Sequence, residues 1–190
     1  FDFAHYKAIH QFLFSDLYDW AGQIRTVNLS KKGTDFCPAG EIEPQAKLIF
    51  DRLKEQNYFK GLPHDAFVEE ITDFYCTTNY LHPFREGNGR TQRAFLTQLI
   101  RSAGYDLNWS EVDGDLLMIA TIQAAQGVTD LLRQVLGEAI KEPAQGIPCA
   151  GSCAAEIYNR SKCNLFDAFI GHPTVYYHSK RSKIVEKLQI

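Results

Sequence analysis

Excess basic charge is missing from this sequence. Twenty Lys and Arg stand against 23 Asp and Glu, a formal net charge of −3, which removes the electrostatic case for a nucleic-acid partner. Long apolar runs are missing too, and no signal peptide is visible, so no membrane segment is expected and a cytoplasmic location is. A disulfide framework is excluded by the cysteines, which number five at irregular spacing: Cys37, Cys76, Cys149, Cys153 and Cys163. The last three with His172 match no common zinc spacing. There are no internal repeats and no low-complexity tracts. What is left is ordinary for a globular protein, 45% hydrophobic and 23% charged. Its 190 residues suffice for one domain with a core, plus an appendage. The first residue is Phe rather than Met, which leaves open whether residues precede it.

Read in order, the periodicity is mostly helical. Phe3, Tyr6, Ile9, Leu13 and Leu17 give the first segment one apolar face, and Gly22 breaks it. His5 and His10 read as core-edge or surface residues. From Ile24 the period changes: Val27 and Leu29 alternate with Asn28 and Ser30, Lys31-Lys32-Gly33-Thr34 supplies a turn, and Asp35-Phe36-Cys37 returns. A small β-hairpin is expected there. Helices are expected from Pro44 to about Asn57, from Pro63 to about Tyr80 and from Asn88 to about Ala103. His64 is read as solvated. Ser110 with Asp113 is a plausible cap for the next helix. Its apolar residues Leu116, Leu117, Ile119, Ala120, Ile122 and Ala124 are expected to fill a core, as are those of a last helix over Val128 to Ile140. Pro143, Gly146, Pro148 and Gly151 then make a linker-like stretch. The expected division is a domain over 1–142, a linker over 143–151 and a tail of short helices over 152–190, of unknown role.

One stretch carries the chemistry: His82-Pro83-Phe84-Arg85-Glu86-Gly87-Asn88-Gly89-Arg90-Thr91-Gln92-Arg93. His82 is a candidate general base, a service worth about 10²–10⁴ in rate. Gly87-Asn88-Gly89 reads as a turn exposing N–H groups at a helix start, a ready anion site. Arg90 and Arg93 share one helix face and can reach the same anion. Glu86 is a lone carboxylate, suited to Mg²⁺ that completes its shell with phosphate oxygens and water. Base, metal ligand, cradle and paired arginines describe transfer of a nucleotide or phosphoryl group.

The stretch resembles the Fic signature, His-x-Phe-x-(Asp/Glu)-Gly-Asn-Gly-Arg-x-x-Arg, at every fixed position, and the resemblance covers roughly residues 1 to 140. It implies an all-α fold, a Fic-type helical bundle with a small β-hairpin flap beside the active site. It also implies transfer of AMP from ATP, with Mg²⁺, to a Ser, Thr or Tyr hydroxyl of a target protein. By position, His82 deprotonates the hydroxyl and Glu86 binds Mg²⁺. Gly87, Asn88 and Gly89 form the anion hole, with the Asn88 side chain near the α-phosphate. Arg90 steadies the metal-bound phosphates and Arg93 clamps the γ-phosphate. The flap, Lys31, Lys32, Gly33, Thr34, Asp35 and Phe36, pairs main chain to main chain with the target. Family members also transfer UMP, phosphocholine or a phosphoryl group. The phosphoryl branch departs from the motif at the second glycine, and Gly89 favours nucleotidyl transfer. The remaining alternative is a docking module without catalysis.

Many Fic proteins are inhibited by a helix carrying (Ser/Thr)-x-x-x-Glu-(Gly/Asn). Neither Ser152…Glu156-Ile157 nor Ser182…Glu186-Lys187 completes that pattern. The inhibitor is then a separate small antitoxin, a segment upstream of Phe1, or replaced by another form of regulation. By family majority the domain is bacterial, a toxin in its own cytoplasm or an effector in a host cytosol.

Overall fold

The computed structural model describes residues 1–31 and 33–142. Among them are six α-helices, α1 (Phe3–Phe14), α2 (Ile42–Glu55), α3 (His64–Leu81), α4 (Asn88–Ser102), α5 (Gly114–Ala125) and α6 (Asp130–Ala139). Two short antiparallel pairs complete the set, β1 (Ser30–Lys31) with β2 (Thr34–Asp35), and β3 (Asp106–Leu107) with β4 (Ile140–Lys141). The all-α class with a small hairpin is the one the sequence implies. The predicted linker over 143–151 and tail over 152–190 lie outside the described residues, as does Lys32.

Helices α1 to α4 meet on aromatic rings. Phe95 of α4 is fully buried, with its ring 5.3 Å from Tyr6, 5.6 Å from Phe50 and 5.8 Å from Phe74. Such pairs add about 0.5–1.5 kcal/mol each beyond the area they bury. Gln92, also buried, locks α4 to α3 by donating to Tyr75 O at 2.8 Å and to Thr78 Oγ1 at 2.7 Å. The end of α3 and the start of α4, which carry the two halves of the motif, are thereby held in one register.

Several expectations need correction. Val27 and Leu29 are not in a strand: the hairpin pairs Ser30 with Asp35 and Lys31 with Thr34, and Gly33 takes a φ of +79° in its turn. The cap of α5 is Asp113 alone, accepting from Asp115 N and Leu116 N, while Ser110 sits in a short 3-10 turn capped by Asn108. Helix α5 is not filled into the core. It buries Leu117 and Ala120, whereas Leu116, Met118 and Ile119 are exposed. His64 is half-buried rather than solvated, its Nε2 3.1 Å from Ile140 O. That bond fastens the start of α3 beside the β3–β4 pair, which joins residues far apart in sequence.

Candidate active site

The backbone at His82 leaves α3 in the left-handed region, φ +39° and ψ +58°, a conformation costly for a residue with a Cβ. Two neighbours hold it there. Asn79 O lies 3.2 Å from His82 Nδ1, so Nδ1 carries the proton and donates it. His82 Nε2 is therefore the unprotonated nitrogen. Arg25 Nε donates to His82 O at 2.8 Å. Burial, with the cations of Arg25 and Lys31 adding to it, pushes His82 down to about 4, against the opposing Asn79 carbonyl and Glu86 carboxylate. The ring is neutral at physiological pH.

Arg25 is almost wholly buried and has no carboxylate partner among the described residues. Its guanidinium is satisfied by carbonyls: besides His82 O, it donates to Val27 O at 2.8 Å and to Cys37 O. Arg25 N donates to Pro83 O at 2.8 Å, and Cys37 N to Tyr80 O at 2.9 Å. Both ends of the hairpin are thus tied to the backbone around His82. The hairpin places Phe36 flat over the histidine, ring centroids 3.7 Å apart at 14°. Lys31, Gly33 and Asp35 are exposed and Thr34 partly so, which leaves this edge open to a further strand. Behind it, Thr34, Phe36, Cys76, Asn79, Tyr80 and Thr121 are among the residues lining a cleft of about 440 Å³.

Helix α4 starts without a side-chain cap and without an acidic residue in its first turn. The N–H groups of Asn88, Gly89 and Arg90 have no partner within the helix, and the helix dipole favours an anion there. The two glycines differ. Gly87 has φ +82°, and a Cβ on it would lie 2.5 Å from the Phe14 ring, so the fold itself demands glycine. A Cβ on Gly89 would meet only Arg93 Nη1, at 3.6 Å. The Asn88 side chain is buried and brackets the loop, Oδ1 accepting from Phe84 N at 2.8 Å and Nδ2 donating to Phe84 O at 2.7 Å.

The exposed Glu86 carboxylate accepts from Gly87 N at 3.0 Å and lies 3.4 Å from Arg90 Nη2. Arg90 also covers the Phe14 ring, 4.5 Å from its centroid. Arg93 is half-buried, and its guanidinium makes no hydrogen bond or ion pair among the described residues; burial, together with nearby Arg90, holds it below its ordinary range. The uncapped start of α4 lies close to the Arg93 guanidinium, whose Nη1 would be 3.6 Å from a Cβ on Gly89, so the arrangement can bind a polyphosphate.

The sequence did not single out His10, Phe14 or Arg25. His10, read from the sequence as a core-edge or surface residue, is completely buried against Phe84, centroids 3.8 Å apart. Burial holds its pKa below the ordinary range. Phe14 follows it one turn later on the same face of α1, a spacing that could have marked the pair. For Arg25 the signal was a lone cation between Ile24 and Val27 in an apolar stretch.

Comparison with known proteins decides the family. The Fic/DOC family model matches residues 1–100. The chain belongs to the Fic/DOC family. Among Fic/DOC relatives, "Probable protein adenylyltransferase Fic" of Salmonella typhimurium is 40% identical over 138 residues, 73% of this chain and 69% of that protein. Protein adenylyltransferase VbhT of Bartonella schoenbuchensis is 37% identical over 142 residues, 75% of this chain and 30% of that protein. Of solved Fic structures, the BepC effector of Bartonella tribocorum with bound AMPPNP superposes with a TM-score of 0.72 at 27% identity, over 75% of each chain. The N-terminal Fic domain of a Bartonella quintana effector with bound ADP gives 0.73 at 26% identity, over 75% of this chain and 74% of that one.

Proposed function

We propose that this chain is a protein adenylyltransferase that moves AMP from ATP to a Ser, Thr or Tyr hydroxyl of a target protein. The observation that carries this reading is the junction of α3 and α4, where a neutral histidine with Nε2 unprotonated stands beside an uncapped helix start. Relatives named as protein adenylyltransferases, and Fic structures holding AMPPNP or ADP, support ATP as the donor.

The target segment adds to the open edge of the hairpin by main-chain pairing, which brings its hydroxyl to His82. The hydroxyl oxygen attacks the α-phosphorus, and its proton passes to His82 Nε2. The bond from the α-phosphorus to the bridging oxygen breaks and pyrophosphate leaves. The N–H groups of Asn88, Gly89 and Arg90 are aimed where charge builds on the transferred group, a contribution typically worth about 10²–10³ in kcat per donor. Arg90 steadies the phosphates and Arg93 holds the terminal one. The cleft lined by Phe36, Asn79 and Thr121 receives the nucleoside, for which its volume of about 440 Å³ is adequate.

A single exposed carboxylate, already oriented by Gly87 N–H, suits Mg²⁺ that is carried in with the nucleotide. Glu86 would hold it, and it would supply charge neutralisation at the phosphates. Arg93, lacking an anion of its own, is the contact an inhibitory glutamate from a separate antitoxin would take. Effector relatives in Bartonella favour delivery into a host cell.

His82→Ala separates chemistry from binding. The variant should bind AMPPNP about as tightly as the wild type and lose transfer by about 10²-fold or more. Equal transfer by the two proteins would remove His82 as the base.

A further inference from the structure

The peptide between Glu86 and Gly87 leads into the start of α4. Its N–H, the amide of Gly87, orients the Glu86 carboxylate at 3.0 Å and stands next to the first-turn N–H groups of α4. Within the local chain its direction is held, among the described residues, by that bond to the exposed Glu86 carboxylate. Glycine accepts φ of either sign, so rotation of the plane before Gly87 would cost little by itself. A trans peptide is planar, with C=O and N–H pointing opposite ways. Rotation would turn the Glu86 carbonyl toward the carboxylate and toward an incoming polyphosphate, two repulsive encounters.

We propose that His10 is a positioning residue that locks this peptide: its Nε2–H holds Glu86 O and so fixes the direction of Gly87 N–H. The proposal rests on the nucleotide-binding reading above. The Nε2 to O distance is 2.9 Å. The tautomer follows from the other nitrogen, because Gly22 N–H donates to Nδ1 at 2.8 Å. A nitrogen accepting a backbone N–H carries no proton, so the neutral ring has it on Nε2, facing Glu86 O. Stacking on Phe84, 19° from parallel, and contact with Phe14, centroids 4.8 Å apart, leave the ring no other orientation. His10 touches no part of the proposed reaction centre. It acts through one carbonyl, much as outer partners of metal ligands do.

The two nitrogens can be tested separately. In full-length protein, His10→Gln places an amide N–H near the Nε2 position and keeps the bond to Glu86 O. His10→Asn keeps only the acceptor for Gly22 N–H. AMPPNP affinity is measured by calorimetry with and without Mg²⁺, beside melting temperature and the Gly87 amide resonance. His10→Asn should weaken AMPPNP by about 10-fold or more, with the larger loss in the presence of Mg²⁺. It should also move the Gly87 resonance, while His10→Gln stays close to wild type in both. A purely structural role predicts losses that track melting temperature in both variants, and that result overturns the proposal, as does wild-type affinity in His10→Asn. Failure of wild-type protein to bind AMPPNP would refute the nucleotide reading alone. The Gly87 resonance, read without nucleotide, would then decide the role of His10.

Discussion

Two glycines two positions apart are required for different reasons. Gly87 sits in a left-handed conformation against Phe14, whereas the protein leaves room for a methyl group at Gly89. What that methyl would obstruct is absent from the chain itself, and a phosphate in the cradle is the natural candidate. Gly89→Ala should therefore fold with a melting temperature close to wild type and lose AMPPNP affinity and transfer. Gly87→Ala should be destabilised by about 1–3 kcal/mol, read by thermal and urea unfolding. The motif was legible residue by residue because its members are contiguous and differ in chemistry. Its supports were not. His10, Phe14 and Arg25 come from elsewhere in the chain, and each has an ordinary structural reading when seen alone. Even Asn88, inside the motif, turned out to spend its side chain on the Phe84 backbone.

At the scale of elements, the hairpin and the α3–α4 junction work as one piece, since Arg25 ties both hairpin ends to the His82 carbonyl or its surroundings. Phe36 is the lid of that piece. Burial is the largest reason His82 is held near 4, and a low pKa keeps the base unprotonated as acidity rises. Phe36→Ala opens the ring to water, so the pKa must move up toward about 6.5, the ordinary value. The acid limb of the kcat/KM profile should then shift to higher pH, with activity at pH 5 falling relative to that at pH 8. An unmoved limb would show that Phe36 does not bury the base. Helices were legible at this scale because their apolar spacing is long and regular. The hairpin was legible as a change of period, although its strands are shorter than alternation at Val27 and Leu29 suggested. The β3–β4 pair was illegible, since it joins Asp106 to Lys141 across two helices. The exposed side of α5 misled for the opposite reason: residues apolar all round read as core, yet Leu116 and Ile119 face outward.

Over the whole molecule, the division of labour is simple. Helices α1 to α4 share an aromatic core, and that core aims two helix termini at one point. In the proposed reaction the C-terminus of α3 would supply the base and the N-terminus of α4 the anion site. Within that proposal, Arg93 and the first-turn N–H groups of α4 would favour an anionic donor beside the histidine. Membership in the Fic/DOC family agrees with this layout, and the relatives named as adenylyltransferases agree with the chemistry. The proposed chemistry is transfer of AMP. It is tested most directly by supplying Mg-ATP labelled at the α-phosphate in one reaction and at the γ-phosphate in another, with a lysate as the source of targets. Protein-bound label should come from the α-position alone and be abolished by His82→Ala. Label from the γ-position would contradict it and make the chain a phosphotransferase.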